Sequence, residues 1–420
     1  MNVRKLAIEA ILKIIIKGAY SNIAINEFIN KFELSEEDKN LFVKLVLGTV
    51  DHKITLDYYL EPFLKKNPKP WVKILLIMSV FQIAYLDIPD YAVVNEAVDI
   101  AALKDRYTAS FVNAVLRNFL RTPLRKLDNL SEVKQLSIQY SFPEWLVAYF
   151  LKDYSFEQVV KILKAFSKEP KQSIRINTLK ANKEEVINSL RLQNITFQDT
   201  DLVTNGLLVE KPMMNHPLFL LGKITIQDLA SQLVAEILQP EEDASILDLC
   251  SAPGGKAAHL AGLMNNKGSI FACEIHEHKL KLMKHNFDRL GVKNVHMQLV
   301  DARNVKEYVQ EKSFDYVLAD LPCSGLGVLG HKVDLKYHIN LHSIQEIIQL
   351  QREIIENSYH LVKKNGFLVI STCTINKQEN EEQVRLFLKN HPEFKIEVEK
   401  TILPYEYHTD GFYICKMRRV

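Results

Sequence analysis

Ser245 to Lys256, SILDLCSAPGGK, passes from a short apolar segment into a glycine pair and then into the helical pattern AAHLAGLM. An apolar strand that ends in a glycine turn and feeds a helix is the opening of a β-α unit. The same rhythm recurs downstream: SIFACE, VHMQLVD, FDYVLAD and FLVIST are short apolar runs, and HEHKLKLMKHNFDRL and SIQEIIQLQREIIENSYHLV carry helical spacing. Alternation of this kind predicts an α/β domain over residues 223–420, a parallel sheet with helices on both faces. FKIEVE and FYICKMRR are expected to add a terminal antiparallel pair. A ligand then belongs in the crevice at the carboxyl ends of the strands, where strand order reverses.

Upstream the period changes. From Val3 to Leu120 apolar residues recur at three- and four-residue spacing, as in VRKLAIEAILKIII, WVKILLIMSVFQIAYL and ASFVNAVLRNFL, with Pro and Gly as breaks. This predicts an all-helical domain over residues 1–130. Residues 131–222 read as linker helices, with Pro143 suited to a first turn, followed by a small α+β domain containing the strand-like QSIRINTLK. A chain of 420 residues exceeds one ordinary core, which agrees with several domains. The net charge of +2 does not mark a nucleic-acid binder, so any such surface must come from local clusters of Lys and Arg. No run of about eighteen apolar residues occurs, and the apolar N-terminus is broken by Glu9, Lys13 and Lys17, so neither a membrane span nor a signal peptide is expected. The five cysteines, Cys250, Cys273, Cys323, Cys373 and Cys415, lie far apart without zinc-ligand spacing, which points to thiols in a reducing cytoplasm and to no metal site.

The strand ends carry the chemistry. Gly254 and Gly255 let backbone approach a ligand, and the helix beginning at Lys256 offers unpaired N–H groups, which suits a nucleotide-like molecule. The spacing is neither that of a dinucleotide binder nor that of a Walker loop. Glu274 ends the second strand, where a carboxylate can accept both ribose hydroxyls, and Asp301 ends the third beside the expected adenine position. Either acid would serve equally as a cap for the helix that follows. ADLPCSGLG follows the fourth strand and Ser371-Thr372-Cys373-Thr374 the fifth. Taken singly, Cys323 or Cys373 reads as a small buried hydrophobe. Two thiols at equivalent strand ends, one of them beside Asp320, favour a reactive site. Thiols next to an adenosine-type cofactor suit methylation at carbon 5 of a pyrimidine, in which a thiolate adds to carbon 6 and the resulting enamine attacks a sulfonium methyl. Asp320 is placed to bond the base at N3 and its exocyclic amine.

DLCSAPGGK, ADLPCSG and STCTIN together resemble the motifs of RNA cytosine-5 methyltransferases that use S-adenosylmethionine. IRINTLK and IQDLASQL resemble segments that precede the catalytic fold in that family. DKNLFVKLVLGTV, PDYAVVNEAVDIA and SFVNAVLRNFLR resemble the RNA-binding antitermination factor NusB. A NusB-like domain fused to this module is the arrangement of RsmB-type (Sun/Fmu) enzymes. The resemblance implies a NusB-like all-α domain and a Rossmann-like methyltransferase domain, with cytosine 967 of 16S rRNA as target. It also implies the site: Cys250, Ser251, Ala252, Pro253, Gly254, Gly255 and Lys256 around S-adenosylmethionine, Glu274 on the ribose, and Asp301 near the adenine. Asp320 would lie between the methionine end and the base, Cys373 would be the nucleophile, and Cys323 would assist release. Ser251 stands where alanine is usual and Glu274 where aspartate is usual, each keeping size or charge.

The partner implied is 16S rRNA, met before full subunit assembly, by a cytoplasmic monomer that binds neither DNA nor membrane. Arg117, Arg121, Arg125 and Lys126 are candidate phosphate contacts or, equally, a solvated helix end. Tyr140, Phe142 and Trp145 are candidate stacking residues, although helical spacing favours the core. Three alternatives remain on motifs alone: a DNA cytosine-5 methyltransferase attacking through Cys323, a tRNA methyltransferase, and a non-catalytic RNA-binding factor.

Overall fold

Polar residues start most of the N-terminal helices. Asn2, Ser35, Asp105 and Ser131 each accept a backbone N–H from the first turn that follows, and Ser155 forms a capping box with Gln158. Pro70–Tyr85 is apolar nearly all round and lies buried at the centre, with residues 74–82 covered throughout. The computed structural model describes residues 2–420, and contacts divide the chain into two units. The helical unit holds the residues up to Ser167 and His331–His338; the sheet unit holds Lys168–Gly330 and Ile339–Val420.

His331–His338 is therefore a segment of the α/β sequence built into the helical unit. Val333 joins the apolar core of that unit. Asp334 accepts from the Ser21 N–H at 3.0 Å and the Ser21 hydroxyl at 2.6 Å, and the Tyr337 hydroxyl donates to the Val50 carbonyl at 3.1 Å. The fully buried Lys336 side chain donates to Asp51 Oδ1 at 2.6 Å and to the Asp51 carbonyl at 2.8 Å, with its ammonium over the Phe142 ring. The sequence reading places 331–338 with the α/β domain and helices 132–166 with the small α+β domain; by contacts both group with the N-terminal helices.

In the sheet unit, strands at 197–199, 206–209, 172–176 and 224–226 form a small antiparallel sheet in that order, so its last strand lies beyond the boundary read at residue 222. The larger sheet has β1 (Ser245–Asp248), β2 (Ser269–Glu274), β3 (Val295–Leu299), β4 (Phe314–Asp320), β5 (Val362–Thr372), β6 (Phe394–Ile402) and β7 (Phe412–Arg419). Their order is β3-β2-β1-β4-β5-β7-β6, parallel except for β7, which runs antiparallel to both neighbours. The period of two splits successive residues between two cores: Ile246, Leu318 and Ile414 pack on one face, and Leu247, Val317 and Cys415 on the other. Helices cover both faces, as the alternating pattern requires. Strand order reverses between β1 and β4, which puts the crevice at their carboxyl ends. Among the described residues no helix is long and apolar enough to cross a membrane.

Candidate active site

β1 delivers Asp248 to the reversal point, where it is buried. Neither of its carboxylate oxygens meets a donor in hydrogen-bonding geometry, and the Ser251 hydroxyl is likewise unpartnered. Burial pushes the Asp248 carboxyl up to about 7; nearby Ser251 and Lys256 oppose that rise, and the Asp320 charge adds to it. The folded chain then holds this proton more tightly than the unfolded one, whose carboxyl titrates near 3.8. This group's contribution to stability is present below that value and is lost as pH rises through about 7. Asp248→Asn is expected to remove the loss, gaining on wild type by about 1.4 kcal/mol per pH unit between pH 5 and 7. Denaturant midpoints of the two ligand-free proteins measure it; a gap that does not change with pH would contradict the assignment.

The turn after Asp248 requires glycine. Gly254 has φ +92°, and a Cβ there would stand 2.8 Å from the Phe287 ring. No side chain caps the helix Gly255–Leu263, so its first N–H groups remain available. Ser251, Ala252, Pro253 and Gly254 form the turn itself, closed by the Gly254 N–H on the Ser251 carbonyl at 2.7 Å. Cys250 is a packing thiol, its pKa pushed well up by burial. Glu274 is buried and accepts the His276 N–H at 2.9 Å, with Lys279 3.6 Å away. Asp301 caps the helical turn after it and is gripped by Arg303 at 2.6 Å, which holds its carboxyl below the usual value. Asp301 therefore caps the turn that follows it, two residues beyond β3, whereas Glu274 ends β2 and caps no helix.

The β4–β5 register sets Asp320 beside Ser371, and each strand continues into a cysteine loop. Cys323 Sγ and Cys373 Sγ lie 3.3 Å apart. Contact with Cys373, and then burial, push the Cys323 thiol well above its ordinary range. Asp320 is held from both sides: Lys256 Nζ donates to Oδ2 at 2.7 Å and the Ser371 hydroxyl to Oδ1 at 2.7 Å. Burial works against the Lys256 charge, but Asp320 and then Cys373 outweigh it and raise the lysine above its usual value. Lys256, read in the sequence as part of the glycine loop, thus also binds the end of β4 through Asp320. Gly327 packs between them: its N–H donates to the Cys373 carbonyl at 3.1 Å, and a Cβ would stand 1.9 Å from the Gly411 carbonyl oxygen.

Sequence reasoning missed Glu379. Its fully buried carboxylate accepts from the Ser324 N–H at 2.7 Å, the Ser324 hydroxyl and Asn376 Nδ2 at 2.8 Å, one residue beyond Cys323 and three beyond Cys373. Only the polar run TINKQEN after STC hinted at it. The RNA candidates divide. All four basic residues are exposed; Arg125 is bonded to Glu61 and stacked on Tyr58, and Arg117 bonds Asn113 within its helix. Phe142 is core, 2% exposed beneath Lys336, which removes it as a stacking residue; Tyr140 and Trp145 are half-buried.

Comparison with known proteins places the chain in a family. The model of the 16S rRNA methyltransferase RsmB/F family matches residues 235–418, that of the NusB family residues 1–121, and that of the RsmF/B-like ferredoxin-like domain residues 142–215. The chain is 39% identical to the probable ribosomal RNA small subunit methyltransferase B of Bacillus subtilis, covering 100% of this chain and 99% of that one. It is 32% identical to the protein of the same description from Synechocystis sp., over the full length of both. A solved methyltransferase homolog from Pyrococcus horikoshii is 25% identical with a TM-score of 0.62, covering 69% of this chain and 100% of that one.

Proposed function

This chain belongs to the 16S rRNA methyltransferase RsmB/F family, and from that premise we propose that it methylates carbon 5 of a cytosine in 16S rRNA, at position 967, through a covalent bond from Cys373 Sγ to carbon 6. It is an S-adenosylmethionine-dependent RNA methyltransferase with a NusB-like domain. The cofactor carries a cationic sulfonium and ammonium, ribose hydroxyls and a carboxylate; the Asp248 carboxyl and Ser251 hydroxyl suit the cationic end, buried Glu274 the hydroxyls and the uncapped helix N-terminus the carboxylate. Residues 250–256, Glu274 and Asp301 would hold it, with Asp320 at its reactive end. When bound, it supplies an electrophilic methyl group.

The observation that carries this reading is the contact of two thiols beside a lysine–carboxylate pair. The Lys256 charge favours the Cys373 thiolate. As Cys373 Sγ bonds to carbon 6, the thiol proton passes by way of Asp320 to N3 of the base, so the ring becomes a neutral enamine. After carbon 5 has been methylated, its proton must leave and the S–C6 bond must break. Cys323, held as a thiol, gives its proton to the departing Cys373 sulfur and receives the carbon 5 proton in exchange, while N3 returns its own to Asp320. The target base must be unstacked to reach the crevice, which favours protein-free or partly assembled RNA.

The test is methyl transfer from labelled S-adenosylmethionine to protein-free 16S rRNA, tRNA and DNA, with the modified position read by bisulfite sequencing. Label on one 16S cytosine at carbon 5 is the expected result. Preferential labelling of tRNA would replace the rRNA reading, label on DNA would restore the Cys323 nucleophile, and binding without transfer would make the chain a non-catalytic RNA factor.

A further inference from the structure

Thiol chemistry requires two cysteine loops to keep a sub-ångström relationship through a covalent cycle, yet a 3.3 Å contact between two sulfurs supplies little force to do so. The stiffness comes from the layer beneath them. Ser324 and Thr374 directly follow the two cysteines, are fully buried or nearly so, and bond each other at 2.8 Å. Glu379 takes both donors of Ser324 and one of Asn376. Gln351 donates to the Pro322 carbonyl at 3.0 Å and to Glu379 at 3.3 Å, which fixes the entry to the Cys323 loop from the helix Leu341–Ser358. Asn380, the next residue, donates to the Thr374 carbonyl at 2.9 Å and accepts from Thr372.

We propose that Glu379 is a positioning residue for the release step: by gripping Ser324 and Asn376, its carboxylate sets the Cys323 thiol against Cys373. This rests on the covalent reading above. A buried carboxylate held by neutral donors alone is costly to maintain, and an apolar or amide residue would pack the same space more cheaply if only filling were needed. A negative charge beneath Cys323 also disfavours ionisation of that thiol, reinforcing the contact with Cys373 and the burial that already do so. Glu379 thereby serves the proton-carrying form that release needs, and it leaves Cys373 to the influence of Lys256.

Glu379→Gln keeps the volume but presents an amide where Ser324 and Asn376 both donate. The expected result is a split. The first methyl transfer in a single turnover stays within about threefold of wild type, multiple turnover falls at least about tenfold, and a covalent RNA complex accumulates as in Cys323→Ala. If Glu379→Gln does not fold, Ser324→Ala removes only one hydroxyl and should show the same split at smaller size. Equal loss in single and multiple turnover without a complex, or wild-type behaviour in both regimes, would overturn the proposal. Cys323→Ala run in parallel separates the two levels: if it traps no complex, the covalent reading itself fails and this inference with it; if it traps one and the Glu379 variant does not, only the inference fails.

Discussion

Cys373→Ala is expected to abolish methyl transfer, by roughly 10⁴-fold or more, and to form no covalent complex with RNA. Cys323→Ala is expected to make the complex and hold it, so that protein migrating with RNA through denaturing electrophoresis rises as turnover falls. The two side chains touch at 3.3 Å, yet their surroundings differ. Cys373 adjoins Lys256, whose charge it helps to stabilise, and Cys323 sits above Glu379 with its ionisation opposed. Neither substitution disturbs the Lys256–Asp320 pair or the Ser324–Glu379 grip, because those bonds involve neighbouring residues. A change in melting temperature therefore should not accompany the loss. A covalent complex formed by Cys373→Ala would reverse the two roles.

The second large effect concerns stability. Asp51→Ala is expected to cost about 3–5 kcal/mol, because it leaves the buried Lys336 ammonium with a single carbonyl. Burial already lowers the Lys336 pKa even with Asp51 in place. A lysine depressed in the folded state contributes its full stability only above the ordinary lysine value, and that contribution is lost as pH falls, so the defect should shrink as pH rises from 7 towards 10. Lys336→Met should cost less, since it removes the charge along with its partner's burden and keeps the apolar stem over Phe142. Denaturant midpoints at two pH values, with faster hydrogen exchange over residues 331–338, measure the effect. A cost below about 1 kcal/mol would show the ion pair to be dispensable.

Much of the site was legible because its signals are local. Asp248, Glu274 and Asp320 end strands β1, β2 and β4, and each could be placed by counting along an apolar run to its first acid. Asp301 lies two residues beyond β3, where it starts the next helical turn. Gly254 announced its turn by the absence of a Cβ. The pairing of Cys323 with Cys373 also followed from equivalent strand ends, given adjacent strands. Lys336 defeats this method: in sequence it is an ordinary lysine in a polar stretch, and nothing within ten residues signals that Asp51 will bury it. Arg125, a candidate phosphate contact in the sequence, also engages Glu61 and Tyr58 far upstream, which nothing near it in the sequence signals.

By itself, then, the sequence determined the helical period of the N-terminal region, the strand and helix alternation of the large sheet, and the loops that end at the crevice, but not the strand Ile224–Ile226 or the unit that holds residues 132–166 and 331–338. Hydrophobic period, caps and glycine conformations act over a few residues, and so each stretch carries its own instructions. Tertiary structure alone decided which side chains meet: Lys256 on Asp320, Glu379 beneath Cys323, and His331–His338 inside the helical unit. Those contacts join residues separated by 64, 55 and up to 313 positions, and they are chosen by strand register and by the cost of leaving a buried polar group without a donor or acceptor.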